Sequence, residues 1–121
     1  MKLILAIGTG SFMGGILRYM ISQFILVRFP SAFPFGTFGV NIIGCFFIGL
    51  VFGLADKGSL PSEWKLFLAT GLLGGFTTFS AFSNETVVLL RDGQMGYAAA
   101  YVASSVLLGL LATFVGFALV K

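Results

Sequence analysis

The sequence predicts an all-α membrane protein with four transmembrane helices, the third of which is broken. Of its 121 residues, 58% are hydrophobic and 9% are charged. A soluble domain keeps roughly a quarter of its residues charged, because its surface faces water. Four long apolar segments follow one another with short polar connections between them. The chain also contains 17 glycines, a residue that lets helices approach closely in lipid.

The connections are too short to hold a second domain, so we expect a single four-helix transmembrane domain. Its helices are predicted at approximately residues 3–27, 35–55, 64–90 and 94–120. Each segment reaches the ~20 residues that a helix needs to cross a hydrocarbon layer of about 30 Å. The first segment is longer than a secretory signal and lacks a clear small-residue cleavage site, so we interpret it as a transmembrane helix.

The first helix contains Arg18, the only cation well inside a predicted span. Its long side chain could snorkel towards the lipid headgroups from the end of the helix. Alternatively, it could attract anions to a vestibule or pair with an acid. Glycines at four-residue spacing, suited to close helix packing, occur in the first three segments, at Gly10 and Gly14, Gly49 and Gly53, and Gly71 and Gly75.

Two polar residues of the second helix, Thr37 and Asn41, are four positions apart and therefore share a face. An unsatisfied polar group at membrane depth is costly. The pair either forms interhelical hydrogen bonds that hold the bundle together or lines a pore or ligand site. Cys45, the single cysteine, lies in an apolar run, and we interpret it as an inert packing residue.

The third segment contains the densest polar pattern, in residues 71–85. Three glycines followed by Thr77 and Thr78 disfavour a continuous helix. A break at membrane depth frees backbone groups, which protein, water or an ion must then satisfy. Freed carbonyls suit a cation, whereas helix N-terminal amides suit an anion. The alternative is an unbroken glycine-rich helix that packs closely.

Aromatic and hydroxyl side chains alternate after the predicted break. Phe79 and Phe82 project from neighbouring positions on one helix face, and Ser83 follows them. Phenyl ring edges carry partial positive charge, so a desolvated anion could rest against them while hydroxyls replace its water. Glu85 is the only acid inside a segment. It either joins an ion pair or hydrogen-bond network or couples protons to transport.

In the fourth helix, Tyr101, Ser105 and Thr113 lie on a four-residue spacing, with Gly109 at the missing step. Hydroxyls of Ser and Thr can bond back to the preceding turn, so the row could be purely structural. It could equally line a pore.

Composition also excludes several functions. The chain has no histidine and one cysteine, which excludes a Cys/His zinc site, a histidine-based triad and an intrachain disulfide. No acid pair or nucleophile–base set can be assembled, so we do not expect an enzyme. The net charge of +3 is scattered along the chain and does not indicate nucleic-acid binding.

These features favour a homo-oligomeric pore for a small anion. One alternative is a proton-coupled multidrug exporter, which depends on a carboxylate in its first helix, but the first segment here contains no acid. A second is a non-transporting assembly subunit, which leaves the polar pattern of the third segment unexplained.

Three motifs span essentially the whole chain: Leu17-Arg18, Gly36-Thr37-x-x-x-Asn41 and Gly74-Gly75-Phe76-Thr77-Thr78-Phe79-Ser80-x-Phe82-Ser83-x-Glu85. In these motifs the sequence resembles the bacterial fluoride channel family, also called Fluc or CrcB proteins. The resemblance implies an antiparallel, dual-topology homodimer in the bacterial inner membrane. Its two pores would export fluoride passively and so reduce fluoride toxicity in the cytoplasm.

The resemblance also implies roles for individual residues. Asn41 would coordinate fluoride, with Phe79 and Phe82 presenting their ring edges to the ion. Backbone carbonyls of Gly74 and Thr77 would bind a structural sodium ion at the dimer centre. Polar surfaces along the pore, or support for ion coordination, would come from Thr37, Ser83, Glu85, Tyr101, Ser105 and Thr113. Arg18 lies in a matching motif without an assigned role. Several relatives carry a hydroxyl where this chain has Gly109. Either a water replaces that hydroxyl, or one step of the polar row on the fourth helix is absent.

The distribution of basic residues predicts that the chain inserts in both orientations. One side of the membrane would carry Lys2, Lys57, Lys65 and Lys121, and the other Arg28 and Arg91, with Arg18 if it snorkels outward. This difference is a weak bias under the positive-inside rule. C-terminal reporters active on opposite sides of the membrane should therefore both give a signal. A signal from one side only would contradict dual topology.

Overall fold

A computed structural model describes residues 1–120, and the regular structure in this range is entirely helical. Four helical spans are long and apolar enough to cross a membrane: Lys2–Arg28, Phe35–Asp56, Ser62–Arg91 and Met95–Val120. Their ends lie within two residues of the expected positions. Lys121, which entered the charge count above, lies outside the described residues.

The first, second and fourth spans are continuous helices, whereas the third has four parts. In chain order the elements are α1 (Lys2–Arg28), α2 (Phe35–Asp56), α3 (Ser62–Lys65), a π-helical segment (Leu66–Leu73), α4 (Gly74–Phe76), α5 (Phe79–Arg91) and α6 (Met95–Val120). Two non-helical residues, Thr77 and Thr78, separate α4 from α5.

Glycines in the left-handed conformation end two of the helices. Gly58 has φ 76° after α2, and Gly93 has φ 77° after α5. The N–H of Gly93 donates to the Leu90 carbonyl at 3.2 Å, and the N–H of Gln94 donates to the Leu89 carbonyl at 2.8 Å. This is the Schellman arrangement, which satisfies the last carbonyls of a helix. It allows α5 to reverse into α6 within three residues.

Close helix contacts occur where the sequence places glycines at four-residue spacing, as expected. A Cβ atom at Gly10 would lie 2.7 Å from both Leu72 N and Phe67 O. One at Gly75 would lie 2.6 Å from Ser11 O. Because real side chains do not approach backbone atoms this closely, α1 can pack against the third span only with glycine at these positions. Gly49 and Gly116 serve the same purpose between α2 and α6.

The core is small and centred on Tyr101, which is fully buried with Leu89 and Ala98. The half-buried rings of Phe38 and Phe82 pack against this cluster. Many large apolar side chains on α1 and α6 are instead exposed, as expected for helices whose outer faces contact lipid. The core thus joins α5 to α6 beside the break in the third span.

Candidate functional site

The break in the third span is held open by one side chain from α2. Thr77 (φ −90°, ψ 157°) and Thr78 (φ −149°, ψ 120°) have extended backbone torsions. Asn41 donates from Nδ2 to the Thr78 carbonyl at 3.0 Å and accepts at Oδ1 from the Thr78 N–H at 2.9 Å. An asparagine amide satisfies both backbone groups of an extended residue in this way. A second Nδ2–H of Asn41 is not used in this pair.

Thr78 also begins α5. Its Oγ1 accepts a hydrogen bond from the Ala81 N–H at 3.1 Å, which is a standard N-cap. In a continuous helix the N–H groups of Thr78 and Ala81 would donate to the carbonyls of Gly74 and Thr77. Here they donate to Asn41 and to Thr78 Oγ1 instead. Both carbonyls therefore lose the donors that a continuous helix would give them.

Arg18 stabilises the first half of the third span. Its Nε donates to the Gly75 carbonyl at 3.1 Å, and Ser11 Oγ donates to the Gly71 carbonyl at 3.4 Å. A cation near the C-terminal end of a helix interacts favourably with the helix dipole. Arg18 therefore bonds to the backbone near the break, and within residues 1–120 it forms no ion pair with Glu85.

A cavity of about 380 Å³ lies at the break. It is walled by α2, the third span and α6, without residues of α1. Six of the residues expected at a site line it: Asn41, Gly74, Thr77, Phe79, Phe82 and Ser105. The cavity thus joins an amide, three hydroxyl-bearing residues, two phenyl rings and the backbone of the break.

The two phenylalanines lie at the start of α5 with their ring centroids 5.7 Å apart. Phe82 also packs on Tyr101 at 4.9 Å between centroids, which connects the cavity wall to the buried core. Phe79 is 78% exposed in the single chain. The pair therefore extends from the core to the outer surface of the chain.

Glu85 lies outside this cavity and joins three helices. Thr37 Oγ1 donates to Glu85 Oε2 at 2.9 Å, and the Tyr101 hydroxyl donates to Oε1, also at 2.9 Å. Thr37 is 8% exposed and Tyr101 is 0% exposed. These contacts match one of the alternatives raised for Glu85, the hydrogen-bond network. The network ties α5 to α2 and α6.

The polar row on α6 divides among three environments. Tyr101 binds Glu85, whereas Ser105 lines the cavity. Thr113 Oγ1 donates to the carbonyls of Cys45 and Gly109 at 3.0 and 3.1 Å, so its hydroxyl lies at the contact between α2 and α6.

Among the expected site residues, Ser83 also remains apart from the cavity, on an exposed face of α5 with Ser80 and Asn84. Among the lining residues that were not expected, two carry a thiol or a hydroxyl group, Cys45 and Thr78. Cys45, interpreted above as packing only, lines the cavity. Its spacing was the available indication, since it follows Asn41 by four positions and so shares its helix face. Thr78 acts as the N-cap, which its position before the aromatic segment could have suggested.

The four spans, and a cavity at the break in the third where Asn41 and Ser105 join a mostly apolar lining, define a class: a small helical membrane protein with a site between its spans. Comparison with known proteins identifies the family within it. The family model described as "CrcB-like protein, Camphor Resistance (CrcB)" matches residues 5–117. The chain therefore belongs to the CrcB-like family and is a multi-pass bacterial membrane protein.

Curated relatives of similar length share nearly half of its residues. The protein named fluoride-specific ion channel FluC of Methylobacillus flagellatus is 47% identical over 98% of this chain and 94% of its own length. The FluC of Flavobacterium psychrophilum is 46% identical over 100% of this chain and 98% of its own. The FluC of Thermus thermophilus is 44% identical over 95% of this chain and 91% of its own.

The Glu85 network predicts that Tyr101→Phe destabilises the fold. The substitution removes the hydroxyl and leaves one carboxylate oxygen without its donor, which should cost about 1.5–3 kcal/mol. Unfolding in mixed detergent micelles by SDS titration measures this change. Tyr97→Phe is the matched control, because Tyr97 also packs on Phe33 but is 43% exposed. Equal stability of the two variants would contradict the network.

Proposed function

We propose that this chain forms a fluoride channel that exports fluoride passively across the bacterial inner membrane and so reduces its toxicity in the cytoplasm. The observation that carries the proposal is the cavity at the break. Asn41, Ser105, Phe79 and Phe82 all line this one cavity. The names of the relatives, fluoride-specific ion channels, support the choice of ion.

The groups in the cavity suit a small anion. Fluoride accepts strong hydrogen bonds and holds water tightly, so a selective path must supply donors that replace its hydration. The second Nδ2–H of Asn41 and the Ser105 hydroxyl are donors of this kind. The edges of Phe79 and Phe82 can add partial positive charge without adding a competing acceptor.

The exposed face of α5 favours a second copy of the chain as the partner. Ser80, Ser83 and Asn84 are exposed there at membrane depth, next to the exposed ring of Phe79. Polar side chains that face hydrocarbon are costly, whereas the same side chains in a protein interface can form hydrogen bonds. A homodimer that covers this face would also close the cavity into a path.

An antiparallel arrangement fits the weak charge bias described above, because a chain with little preference inserts in both orientations. In a two-fold dimer each copy contributes the same surface to the other. Each chain's cavity would then become one of two equivalent pores.

The carbonyls of Gly74 and Thr77 fit a structural sodium ion. Both have lost their helical donors, because the N–H groups of Thr78 and Ala81 bond elsewhere. Carbonyl oxygens of unwound transmembrane segments are ligands of the kind that sodium takes in transporters. Two chains would supply two carbonyls each. Sodium would neutralise the partial negative charge that these carbonyls bring to the dimer centre.

Fluoride efflux from liposomes that contain the purified protein tests the function directly. We expect fluoride to leave the vesicles rapidly while chloride stays, because chloride is larger and needs fewer strong donors. An ion-selective electrode measures both rates after a potassium ionophore removes the opposing potential. Absence of fluoride efflux, or equal rates for the two ions, would refute the proposal.

Ring variants connect this flux to the cavity. Phe79→Ala and Phe82→Ala should each lower fluoride efflux roughly fivefold, since one aromatic contact contributes on the order of 1 kcal/mol. Phe12→Ala is the control, because Phe12 is 71% exposed on α1, a helix that supplies no residue to the cavity. Unchanged flux in both ring variants would remove the phenyl rings from the mechanism.

The sodium proposal predicts that the dimer dissociates more readily without sodium. An ion that binds only the assembled state stabilises it, by about 2.7 kcal/mol at a hundredfold excess over its dissociation constant. Subunit exchange between two differently labelled protein samples should therefore accelerate when choline replaces sodium at constant ionic strength. Restored sodium should slow it again. The same exchange rate in both salts would count against a structural sodium ion.

A further inference from the structure

A groove separate from the cavity at the break lies between the start of α1 and the start of the third span. Its volume is about 250 Å³, and Ala6, Glu63, Trp64 and Phe67 line it. Because a transmembrane helix begins near the boundary of the hydrocarbon layer, this groove lies at the level of the lipid headgroups.

An ion pair connects the two helix starts at this groove. Lys2 Nζ lies 3.4 Å from Glu63 Oε2, and the two side chains are 83% and 54% exposed. It is the only ion pair between side chains within residues 1–120. An exposed ion pair contributes little to stability, because water and salt screen its charges. Both charges are therefore accessible to a ligand that carries the two opposite charges.

The rest of the groove is apolar. Trp64 and Phe67 meet edge to face, with 5.7 Å between their ring centroids and 84° between their planes. Phe67 follows Glu63 by four residues and so lies about one turn further along the span. Ala6 is small and half-buried, which leaves space beside the two rings. The groove thus combines an acid and a base with an apolar slot that leads into the membrane.

We propose that this groove binds a phospholipid whose headgroup carries a primary amine, as phosphatidylethanolamine does. Its ammonium group donates hydrogen bonds to the Glu63 carboxylate, and its phosphate accepts from Lys2. One acyl chain lies against the rings of Trp64 and Phe67. The inference concerns the lipid that surrounds the protein and does not depend on which ion the chain conducts.

The charges of the groove favour this headgroup over two others. Phosphatidylglycerol offers a phosphate to Lys2 but has no cation for Glu63, whose negative charge repels it. The choline group of phosphatidylcholine is a cation without an N–H, so it can interact with the face of Trp64 but cannot donate to Glu63. A primary ammonium forms charge-assisted hydrogen bonds with a carboxylate. Glu63 is therefore the residue that selects the headgroup.

The fluorescence of Trp64 reports on this lipid directly, because Trp64 is the only tryptophan of the chain. The full-length protein is reconstituted in phosphatidylcholine vesicles that contain a small share of one brominated lipid. Bromine quenches a tryptophan that it contacts. From quenching at increasing share, we expect the apparent affinity for brominated phosphatidylethanolamine to exceed that for the brominated choline and glycerol lipids about threefold, as the modest strength of exposed ion pairs implies.

Variants assign the preference to the two charged residues. Glu63→Gln keeps the size of the side chain and should make the affinities for the ethanolamine and choline lipids equal. Asp56→Asn is the matched control, since it removes an exposed acid at the end of α2, on the same side of the membrane but outside the groove lining, and it should keep the preference. Lys2→Gln should lower the affinity for all three lipids, because all three carry the phosphate.

Four outcomes would overturn the inference. One is equal quenching by the three lipids in the unaltered protein, and another is a preference that persists in Glu63→Gln. A preference for phosphatidylglycerol would show that Lys2 alone attracts the headgroup. Absence of quenching by every lipid would show that another protein surface, such as a second copy of the chain, covers Trp64. None of these measurements involves ion flux, so their failure leaves the proposed function standing, and failure of fluoride efflux leaves this inference standing.

Discussion

The two hydrogen bonds between Asn41 and the backbone of Thr78 are the constraint on which the rest of the site depends. They satisfy both polar groups of an extended residue at a depth where water is scarce, which is the condition for any break in a membrane helix. Once Thr78 is held in this way, its hydroxyl can cap α5. The direction of α5, and with it the placement of Phe79 and Phe82, follows from that cap. A residue of α2 thereby sets the geometry of the third span.

The first helix completes this arrangement by close approach. Gly14 and Gly75 allow the backbones of α1 and α4 to meet, and Arg18 then reaches the Gly75 carbonyl. That carbonyl would accept from the Phe79 N–H in a continuous helix. Arg18 thus satisfies one of the acceptors that the break exposes, while those of Gly74 and Thr77 stay open to other partners. The break therefore leaves two carbonyls, those of Gly74 and Thr77, as acceptors for a further ligand, whereas the Gly75 carbonyl already has its donor.

The sequence was sufficient for the four spans, because long apolar runs between short polar connections have few other solutions. Gly74 to Thr78 also indicated where helix propensity fails. The side chain that bonds to the backbone of the break could not be predicted. Asn41 and Thr78 are 37 positions apart, and only the packing of α2 brings them together. The row on α6 divides among several environments for a geometric reason. Each four-residue step turns a helix by about 40°, so Tyr101 and Thr113 point in directions roughly 120° apart.

Within the single chain, some polar side chains are paired by hydrogen bonds inside the bundle, and others are left exposed on its surface. Thr37, Glu85 and Tyr101 satisfy one another inside the bundle, and their network fixes α5 relative to α2 and α6. Ser83 and Asn84, on the opposite side of the same helix, remain exposed. A helix fixed rigidly on one face presents its other face in a defined position. Because the inner network and the outer face share one short helix, a partner that covers the outer face meets a preorganised surface. In the proposed dimer, the inner hydrogen bonds of α5 would therefore serve assembly as well as folding.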